Sequence, residues 1–265
     1  MAVGGRDGNE TLAGDSEYRL IATAKLPAVM HAYLKRGTRI VAEDQISGPF
    51  RYSDRADAGH YLAKALAEYS GRPDTVVLAL PRGGVLVALE IAQALAAPLD
   101  IVVVRKLGVP GREELAFGAI ASGGERVLNG DVVATFGLSG ELIEAVEARE
   151  RDEIERRELA YRGQRPRITL TQKTAILVDD GLATGATMLA AVSAVRSRLP
   201  ARVVVAVPTA AAETCARLRS EVDELVCPLV PGSFYAVSLW YDHFQQVSDE
   251  EVREALRSAW EAESR

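Results

Sequence analysis

Two adjacent carboxylates precede a turn of small residues in the second half of the chain. Asp179 and Asp180 follow an apolar run at residues 175–178. Small residues between a strand and a helix let the backbone curl so that its N–H groups converge on a phosphate, and the helix start adds a positive end. Two carboxylates beside such a phosphate cup suit the vicinal hydroxyls of a ribose. The predicted ribose 5-phosphate site consists of Asp179, Asp180, Gly181, Leu182, Ala183, Thr184, Gly185, Ala186 and Thr187.

Two other apolar runs end in basic or glycine-rich residues. One run leads into Arg82, Gly83 and Gly84, and another leads into Arg105 and Lys106. In open parallel sheets the ligand binds beyond the carboxyl ends of the strands, so we expect these residues to converge with the acid pair.

The segment at residues 176–188, ILVDDGLATGATM, resembles the phosphoribosyl-diphosphate motif of the type I phosphoribosyltransferases. Like that motif, it consists of an apolar strand, two acids and a loop of the form x-T-G-x-T. No lysine follows the second glycine, as a Walker loop requires, and the dinucleotide fingerprint GxGxxG is absent. The resemblance covers about residues 50–244. It is closest to a bacterial subgroup of predicted phosphoribosyltransferases that share the ALPRGG turn and a loop like RKLGVPGREELAFGAI.

The resemblance assigns roles to the other strand ends. Arg82, Gly83 and Gly84 take the place of the pyrophosphate loop, where the peptide bond is often cis without proline. Arg105 and Lys106 would neutralise pyrophosphate directly or from the edge of the site. Without the resemblance, the same residues are an ordinary glycine turn and a solvated basic strand end.

The resemblance also implies a magnesium-dependent transfer from phosphoribosyl diphosphate to a nitrogen acceptor such as a nucleobase. Pyrophosphate leaves the ribose through an oxocarbenium-like state, so positioning and electrostatics dominate catalysis. Asp179 and Asp180 would hold the ribose hydroxyls and contact Mg²⁺ directly or through water, while the basic residues stabilise the leaving group. The segment at residues 107–115 resembles a lid that excludes water; taken alone, it is a surface loop.

The acceptor is less well specified. Ala183 stands where some purine enzymes of this family carry an aspartate that serves the base as acid or base, which puts hypoxanthine or guanine specificity in doubt. The family builds an acceptor-binding hood from terminal segments, here residues 20–48 and 231–244. A hydrophobic cluster closing the end of the sheet is the alternative for the aromatic side chains of the second segment. The candidates for stacking on a flat acceptor are Phe234, Tyr235, Trp240 and Tyr241.

The elements that position these residues follow a strand–helix rhythm. Continuous apolar runs are typical of strands that are covered on both faces. Strands are predicted at 75–80, 101–104, 175–178 and 203–207, and helices follow at 85–96, 187–199 and 210–219. Another helix, capped by Ser53 or Asp54, precedes the first run. This rhythm predicts a doubly wound α/β fold, in which helices flank a mainly parallel sheet and a small hood is added.

Three further segments complete the organisation. Residues 1–17 lack a hydrophobic period and are expected to be a disordered tail. Residues 18–49 form an extension that is a candidate part of the hood, with a short helix at 27–37 and a strand at 39–43. Residues 50–265 form the phosphoribosyltransferase-like domain. Within it, residues 139–162 predict a long charged helix, either a solvated surface helix with Glu–Arg pairs or a packing face for a partner subunit such as a second copy of the chain.

The composition excludes several classes of function. The chain has 265 residues, a net charge of −6 and no apolar run near the roughly 20 residues of a membrane span. Its polar N-terminus does not resemble a signal peptide, so a cytoplasmic location is expected. The negative charge argues against nucleic acid as a partner. The two cysteines and three histidines have no spacing typical of a disulfide framework or a zinc site.

Two alternatives to a transferase stay open. The same fold serves regulators that sense phosphoribosyl diphosphate or nucleotides without catalysis, because fold does not determine function. A hydrolase or phosphotransferase acting on a related sugar phosphate would use the same cup. The basic residues at two strand ends favour an enzyme, since a sensor has no leaving group to stabilise.

Overall fold

The computed structural model describes residues 50–263 and, before them, only the backbone of three short strands within residues 19–41. The side chain of residue 114 is also outside the described part, as is the tail predicted for residues 1–17. The strands are β1 (Arg19–Ile21), β2 (Ala32–Lys35), β3 (Thr38–Val41), β4 (Thr75–Ala79), β5 (Leu99–Ile101), β6 (Val104–Val109), β7 (Arg112–Ala121), β8 (Arg126–Leu128), β9 (Thr174–Val178), β10 (Arg202–Ala206) and β11 (Glu224–Cys227). The helices are α1 (Arg55–Ala65), α2 (Gly83–Leu95), α3 (Gly130–Thr135), α4 (Gly140–Arg162), α5 (Ala186–Arg196), α6 (Ala212–Leu218) and α7 (Asp249–Glu263).

The main sheet has the order β1-β2-β3-β11-β10-β9-β4-β5, and all pairs from β3 to β5 are parallel. Strands β4 and β9 are buried along their whole length, as their continuous apolar sequences predict. The order of β5, β4, β9, β10 and β11 corresponds to 2-1-3-4-5 along the chain. The direction of winding therefore reverses between β4 and β9, where ligands bind in doubly wound sheets.

Helices cover both faces of the main sheet, which confirms the predicted fold class. Residues of α1, α2, α4 and α7 form one core cluster with alternate residues of the strands, such as Val77 and Val178. Residues of α5 and α6 form the second cluster with the intervening ones, such as Leu78 and Leu177. The caps follow the sequence: the Asp54 carboxylate accepts from the N–H of Asp57 at the start of α1.

A small antiparallel sheet, β6-β7-β8, lies beside the main sheet and packs against α5. It corrects two predictions. The strand predicted at 101–104 is divided between the two sheets. The chain leaves the edge of the main sheet after Ile101, and Val104 pairs with Ala121 in the small sheet. The loop predicted at 107–115 is mostly a β-hairpin turning at Pro110 and Gly111. Gly108 allows close strand approach there, since a Cβ would lie 2.6 Å from a backbone oxygen of the opposite strand.

Helix α4 has the predicted bounds, with the Ser139 hydroxyl accepting from the N–H of Leu142. It is not only a solvated helix, however. Leu159 is 61% exposed, whereas Glu147, Glu150 and Glu158 are buried. Buried carboxylates need ionic partners, and arginines of the β6–β8 sheet and of the helix end supply them.

The helix predicted at 27–37 is wrong where the structure describes it, because β2 (Ala32–Lys35) is a strand. It pairs antiparallel with β3 (Thr38–Val41), which in turn pairs with β11. Pairing with a sheet edge overrides a weak local preference for helix. Among the described helices, none combines the length and apolar character that a membrane span requires.

Candidate active site

The turn after β4 and the acids after β9 are in direct contact at the switch point. The peptide bond between Pro81 and Arg82 is cis, as the resemblance implies. A Cβ on Gly83 would lie 2.6 Å from the carboxyl carbon of Asp180. A Cβ on Gly84 would lie 2.7 Å from the backbone oxygen of Val178. Both glycines are therefore required for the close approach of two neighbouring strand ends.

The two acids form a coupled, half-buried pair. The backbone N–H of Asp180 donates to Oδ1 of Asp179 over 2.9 Å. Burial raises the pKa of Asp179 well above its ordinary value, and the neighbouring charge of Asp180 raises it further. Burial also raises the pKa of Asp180, although Arg55 opposes this shift. Such a pair favours a ligand that brings hydroxyl donors or positive charge.

Two residues fix Asp180: Arg55, which the sequence analysis did not single out, and Tyr241, which it named only for stacking on the acceptor. Nε of Arg55, at the start of α1, donates to Oδ2 of Asp180 over 2.8 Å. The Tyr241 hydroxyl donates to the backbone oxygen of Asp180 over 2.6 Å. No local pattern connects these residues to the acids, because Arg55 lies 125 positions earlier.

The turn at residues 181–187 lies between β9 and α5 as predicted. Its Leu182 is buried and bonded through its N–H to the backbone oxygen of Thr209. Gly185 adopts a positive φ of 70° at the start of α5, and no side chain caps that helix. Within the described residues, the N–H groups of Ala186 and Thr187 have no protein acceptor. A helix start with free N–H groups is suited to an anion.

Helix α6 supports this turn from behind, a contact that the sequence analysis also missed. The Thr214 hydroxyl donates to the backbone oxygen of Ala183 over 2.5 Å, and Arg217 donates to that of Thr184. Both carbonyl oxygens are thereby engaged by side chains of α6. The exposed side chain of Thr184 lies on the open part of the turn.

The three predicted cations differ in their surroundings. Arg82 is partly exposed and lies 3.7 Å from the carboxylate of Asp249 at the start of α7. Arg105 forms a 2.8 Å ion pair with the buried Glu150 of α4. Lys106 is exposed and has no ion-pair partner within the described part of the chain. Consecutive strand residues point to opposite faces, so Arg105 and Lys106 do not converge, and Arg105 serves as a partner of α4.

The four aromatic candidates separate into two groups. Tyr241 is only 3% exposed and packs between Tyr52 and Phe244, so its ring cannot stack on an acceptor. Trp240 is half-buried and packs against the same cluster, which closes the end of the sheet. Phe234 is half-buried and Tyr235 is 85% exposed, which leaves these two rings accessible. The cluster alternative thus holds for Trp240 and Tyr241.

The residues present fit a magnesium ion whose remaining ligands come from substrate and water. Among the described residues, no group of three or more histidine, cysteine, aspartate or glutamate side chains could hold a metal. The carboxyl groups of Asp179 and Asp180 are hydrogen-bonded to each other, and no N–H group of the described region donates to Oδ2 of Asp179 or to Oδ1 of Asp180. One or two carboxylates plus substrate phosphates is the usual environment of Mg²⁺.

Comparisons with known proteins identify the family of the chain. A model of the phosphoribosyl transferase domain matches residues 54–237. Two curated proteins from Mycobacterium tuberculosis strains, named "Putative phosphoribosyl transferase" MT0597 and Rv0571c, are each 50% identical over 201 residues, which cover 76% of this chain. The crystal structure of TT1426 from Thermus thermophilus is 44% identical and superposes with a TM-score of 0.70, covering 79% of this chain and 99% of that one. The chain belongs to the phosphoribosyltransferase family of type I, and the resemblance is confirmed.

The chain and its curated relatives differ in extent. The match covers 45% of each Mycobacterium tuberculosis protein, so the chain spans about half of their length. It covers nearly all of the Thermus thermophilus protein. The range matched by the family model, residues 54–237, includes the switch point with its turn and acid pair.

Proposed function

We propose that this chain is a magnesium-dependent phosphoribosyltransferase of the cytoplasm. Its donor is phosphoribosyl diphosphate and its acceptor is a nitrogen atom of a small molecule, with a nucleobase as the leading class. The reaction releases pyrophosphate, and neither a nucleic acid nor a membrane takes part.

The contact between the turn at Arg82 to Gly84 and the acid pair carries this proposal. The turn offers a cation and backbone N–H groups next to the two carboxylates. The loop that follows these carboxylates ends at the uncapped start of α5. A ligand that suits all three features has a diphosphate, vicinal hydroxyls and a phosphate monoester in that order. Phosphoribosyl diphosphate has this arrangement.

The reaction needs little covalent participation by the protein. The acceptor nitrogen forms a bond to C1 of the ribose, the bond from C1 to the pyrophosphate oxygen breaks, and its electron pair leaves with pyrophosphate. Asp179 and Asp180 hold the ribose hydroxyls and stabilise positive charge that develops on the ring. Arg82 and Lys106 stabilise negative charge on the leaving group, and the N–H groups at Ala186 and Thr187 fix the 5-phosphate.

Asp179 and Asp180 would hold the magnesium ion together with substrate oxygens. The ion would supply charge neutralisation at the diphosphate. We assign the role of the lid to the β6–β7 hairpin, which would limit access of water to the reacting centre. Phe234 and Tyr235 are the accessible rings for contact with an acceptor.

Titration calorimetry with phosphoribosyl diphosphate and Mg²⁺, followed by a pyrophosphate-release assay with a panel of nucleobases and amines, tests the proposal. We expect binding by the unmodified protein, loss of binding in the variant carrying Asp179→Ala and Asp180→Ala, and turnover with at least one nitrogen acceptor. Asp152→Ala, in the exposed part of α4, is the control for a changed charge. Unaltered affinity in the double variant would refute the assignment of the donor site.

The assay also separates the alternatives. Tight binding without pyrophosphate release for any acceptor would support a sensor of the same fold. Pyrophosphate release with water alone would support a hydrolase.

A further inference from the structure

Arg55 occupies an unusual position for a charged residue. It is the first residue of α1, and only 8% of it is exposed. Arginine is almost never buried without partners. The partners of Arg55 come from two distant parts of the chain, and one of them is Asp180 of the proposed ribose site.

Three contacts hold the guanidinium of Arg55. Nε donates to Oδ2 of Asp180 over 2.8 Å, and Nη1 donates to the backbone oxygen of Gln245 over 2.9 Å. The guanidinium carbon lies 3.9 Å from the ring centre of Phe244, in a cation–π contact. A group held at three points has little freedom to reach for a phosphate. Arg55 is therefore poorly placed to be a pyrophosphate ligand itself.

These contacts determine which oxygen of Asp180 is free. Arg55 occupies Oδ2, the carboxyl of Asp179 is hydrogen-bonded to the same side chain, and no N–H group of the described residues donates to Oδ1. The Tyr241 hydroxyl holds the backbone oxygen of the same residue, so Asp180 is fixed through both its main chain and its side chain. Gly83 lies against this arrangement, since a Cβ there would be 3.1 Å from Nε of Arg55. The carboxylate has one orientation, and Oδ1 is the oxygen left for a ligand.

We infer that Arg55 is a positioning residue that orients Asp180 so that Oδ1 receives a ribose hydroxyl of the donor. This inference rests on the proposed function, because it takes the ribose of phosphoribosyl diphosphate as the ligand. A purely structural role, joining α1 to the segment at residues 244–245, is the competing explanation. The two differ in one respect: a positioning role affects ligands with vicinal hydroxyls and spares pyrophosphate.

The experiment measures calorimetric affinities of the unmodified protein, Arg55→Met and Arg55→Lys for three ligands with Mg²⁺: phosphoribosyl diphosphate, ribose 5-phosphate and pyrophosphate. We expect Arg55→Met to weaken both ribose ligands about tenfold or more, which corresponds to at least about 1.4 kcal/mol, and to change pyrophosphate affinity less than about twofold. Arg55→Lys keeps the buried charge but not the planar fork, so an intermediate loss is expected. Arg51→Met, an exposed neighbour, is the matched control.

A double-mutant cycle with Asp180→Asn completes the test. If Arg55 acts through Asp180, then Arg55→Met added to Asp180→Asn causes no further loss of phosphoribosyl diphosphate affinity. An equal loss for all three ligands, no loss for any, or full additivity in the cycle would overturn the inference. Should Arg55→Met fail to fold, Arg55→Lys and its double variant give the same comparison. Failure of the unmodified protein to bind phosphoribosyl diphosphate would refute the proposed function instead.

Discussion

The Thr214 hydroxyl donates a 2.5 Å hydrogen bond to the backbone oxygen of Ala183, and this bond orients the peptide group that follows. In a trans peptide the C=O of one residue and the N–H of the next point in opposite directions. An Ala183 carbonyl that points to α6 therefore directs the N–H of Thr184 away from α6. The bond from Arg217 to the Thr184 oxygen has the same effect on the N–H of Gly185. Helix α6 thus prepares the donors of the phosphate cup.

Thr214→Val removes the bond to Ala183 and keeps the shape of the side chain. We expect ribose 5-phosphate affinity to fall about threefold to tenfold, since a neutral hydrogen bond contributes about 1 kcal/mol. Pyrophosphate affinity should not change. The matched control is Thr75→Val, because the buried hydroxyl of Thr75 has no hydrogen-bond partner in the described structure. Equal effects of the two substitutions would contradict the assigned role of α6.

Gly84→Ala tests the close approach of the two strand ends. The added methyl group meets the backbone oxygen of Val178, and a backbone atom cannot rotate away as a side chain can. We expect the free energy of unfolding to fall by about 1–3 kcal/mol and donor binding to be lost. Urea denaturation and calorimetry measure the two effects. Gly130→Ala is the control, because no atom lies within 4 Å of a Cβ there.

Substitutions on β6 distinguish the two basic residues. Lys106→Ala is expected to weaken pyrophosphate binding several-fold while stability stays within about 0.5 kcal/mol. Arg105→Ala should instead lower the free energy of unfolding by about 1–3 kcal/mol, because the buried carboxylate of Glu150 loses a partner. Lys64→Ala controls for the change in net charge. Selective loss of pyrophosphate affinity in Arg105→Ala would restore the role first predicted for that residue.

Acid titration tests the buried carboxylate of Glu158 on α4. Burial raises the pKa of Glu158, but hydrogen bonds from Arg167 and Arg162 outweigh this and hold the pKa below its ordinary value. A lowered pKa in the folded state stabilises the fold above about pH 4.3 and ceases to do so as pH falls through the folded-state pKa. Glu158→Gln should cost about 2–4 kcal/mol at pH 7 and progressively less below pH about 4. Urea denaturation across this range, with exposed Glu155→Gln as control, measures the difference.

The sequence was most informative where a pattern is local. The strand that begins at Thr174, the acids and the small-residue turn are adjacent in the chain, so their order predicts the strand, the turn and the helix that follows. Continuous apolar runs predicted the buried strands for the same reason. The caps of α1 and α4 involve neighbours only three positions away, at Asp54 and Ser139, and they were predicted as well.

The remainder depends on contacts between distant residues. Arg55 and Tyr241 lie 125 and 61 positions from Asp180, and no spacing rule connects them. The resemblance assigned Arg105 to pyrophosphate, yet its guanidinium donates to Glu150, 45 positions later. The many charged residues of α4 favoured a solvated helix in the sequence analysis. A pattern of glutamates does not show which arginines from other elements will pair with them.

The contact of Gly83 and Gly84 with the acid pair has a thermodynamic consequence. Pyrophosphate at the turn and ribose 5-phosphate at the acid pair bind to parts of one tightly packed unit. We therefore expect the binding of one to affect the binding of the other. If bound pyrophosphate changes the affinity for ribose 5-phosphate by some factor, bound ribose 5-phosphate changes the affinity for pyrophosphate by the same factor. The closely packed glycines thus make the two halves of the donor mutual effectors at equilibrium.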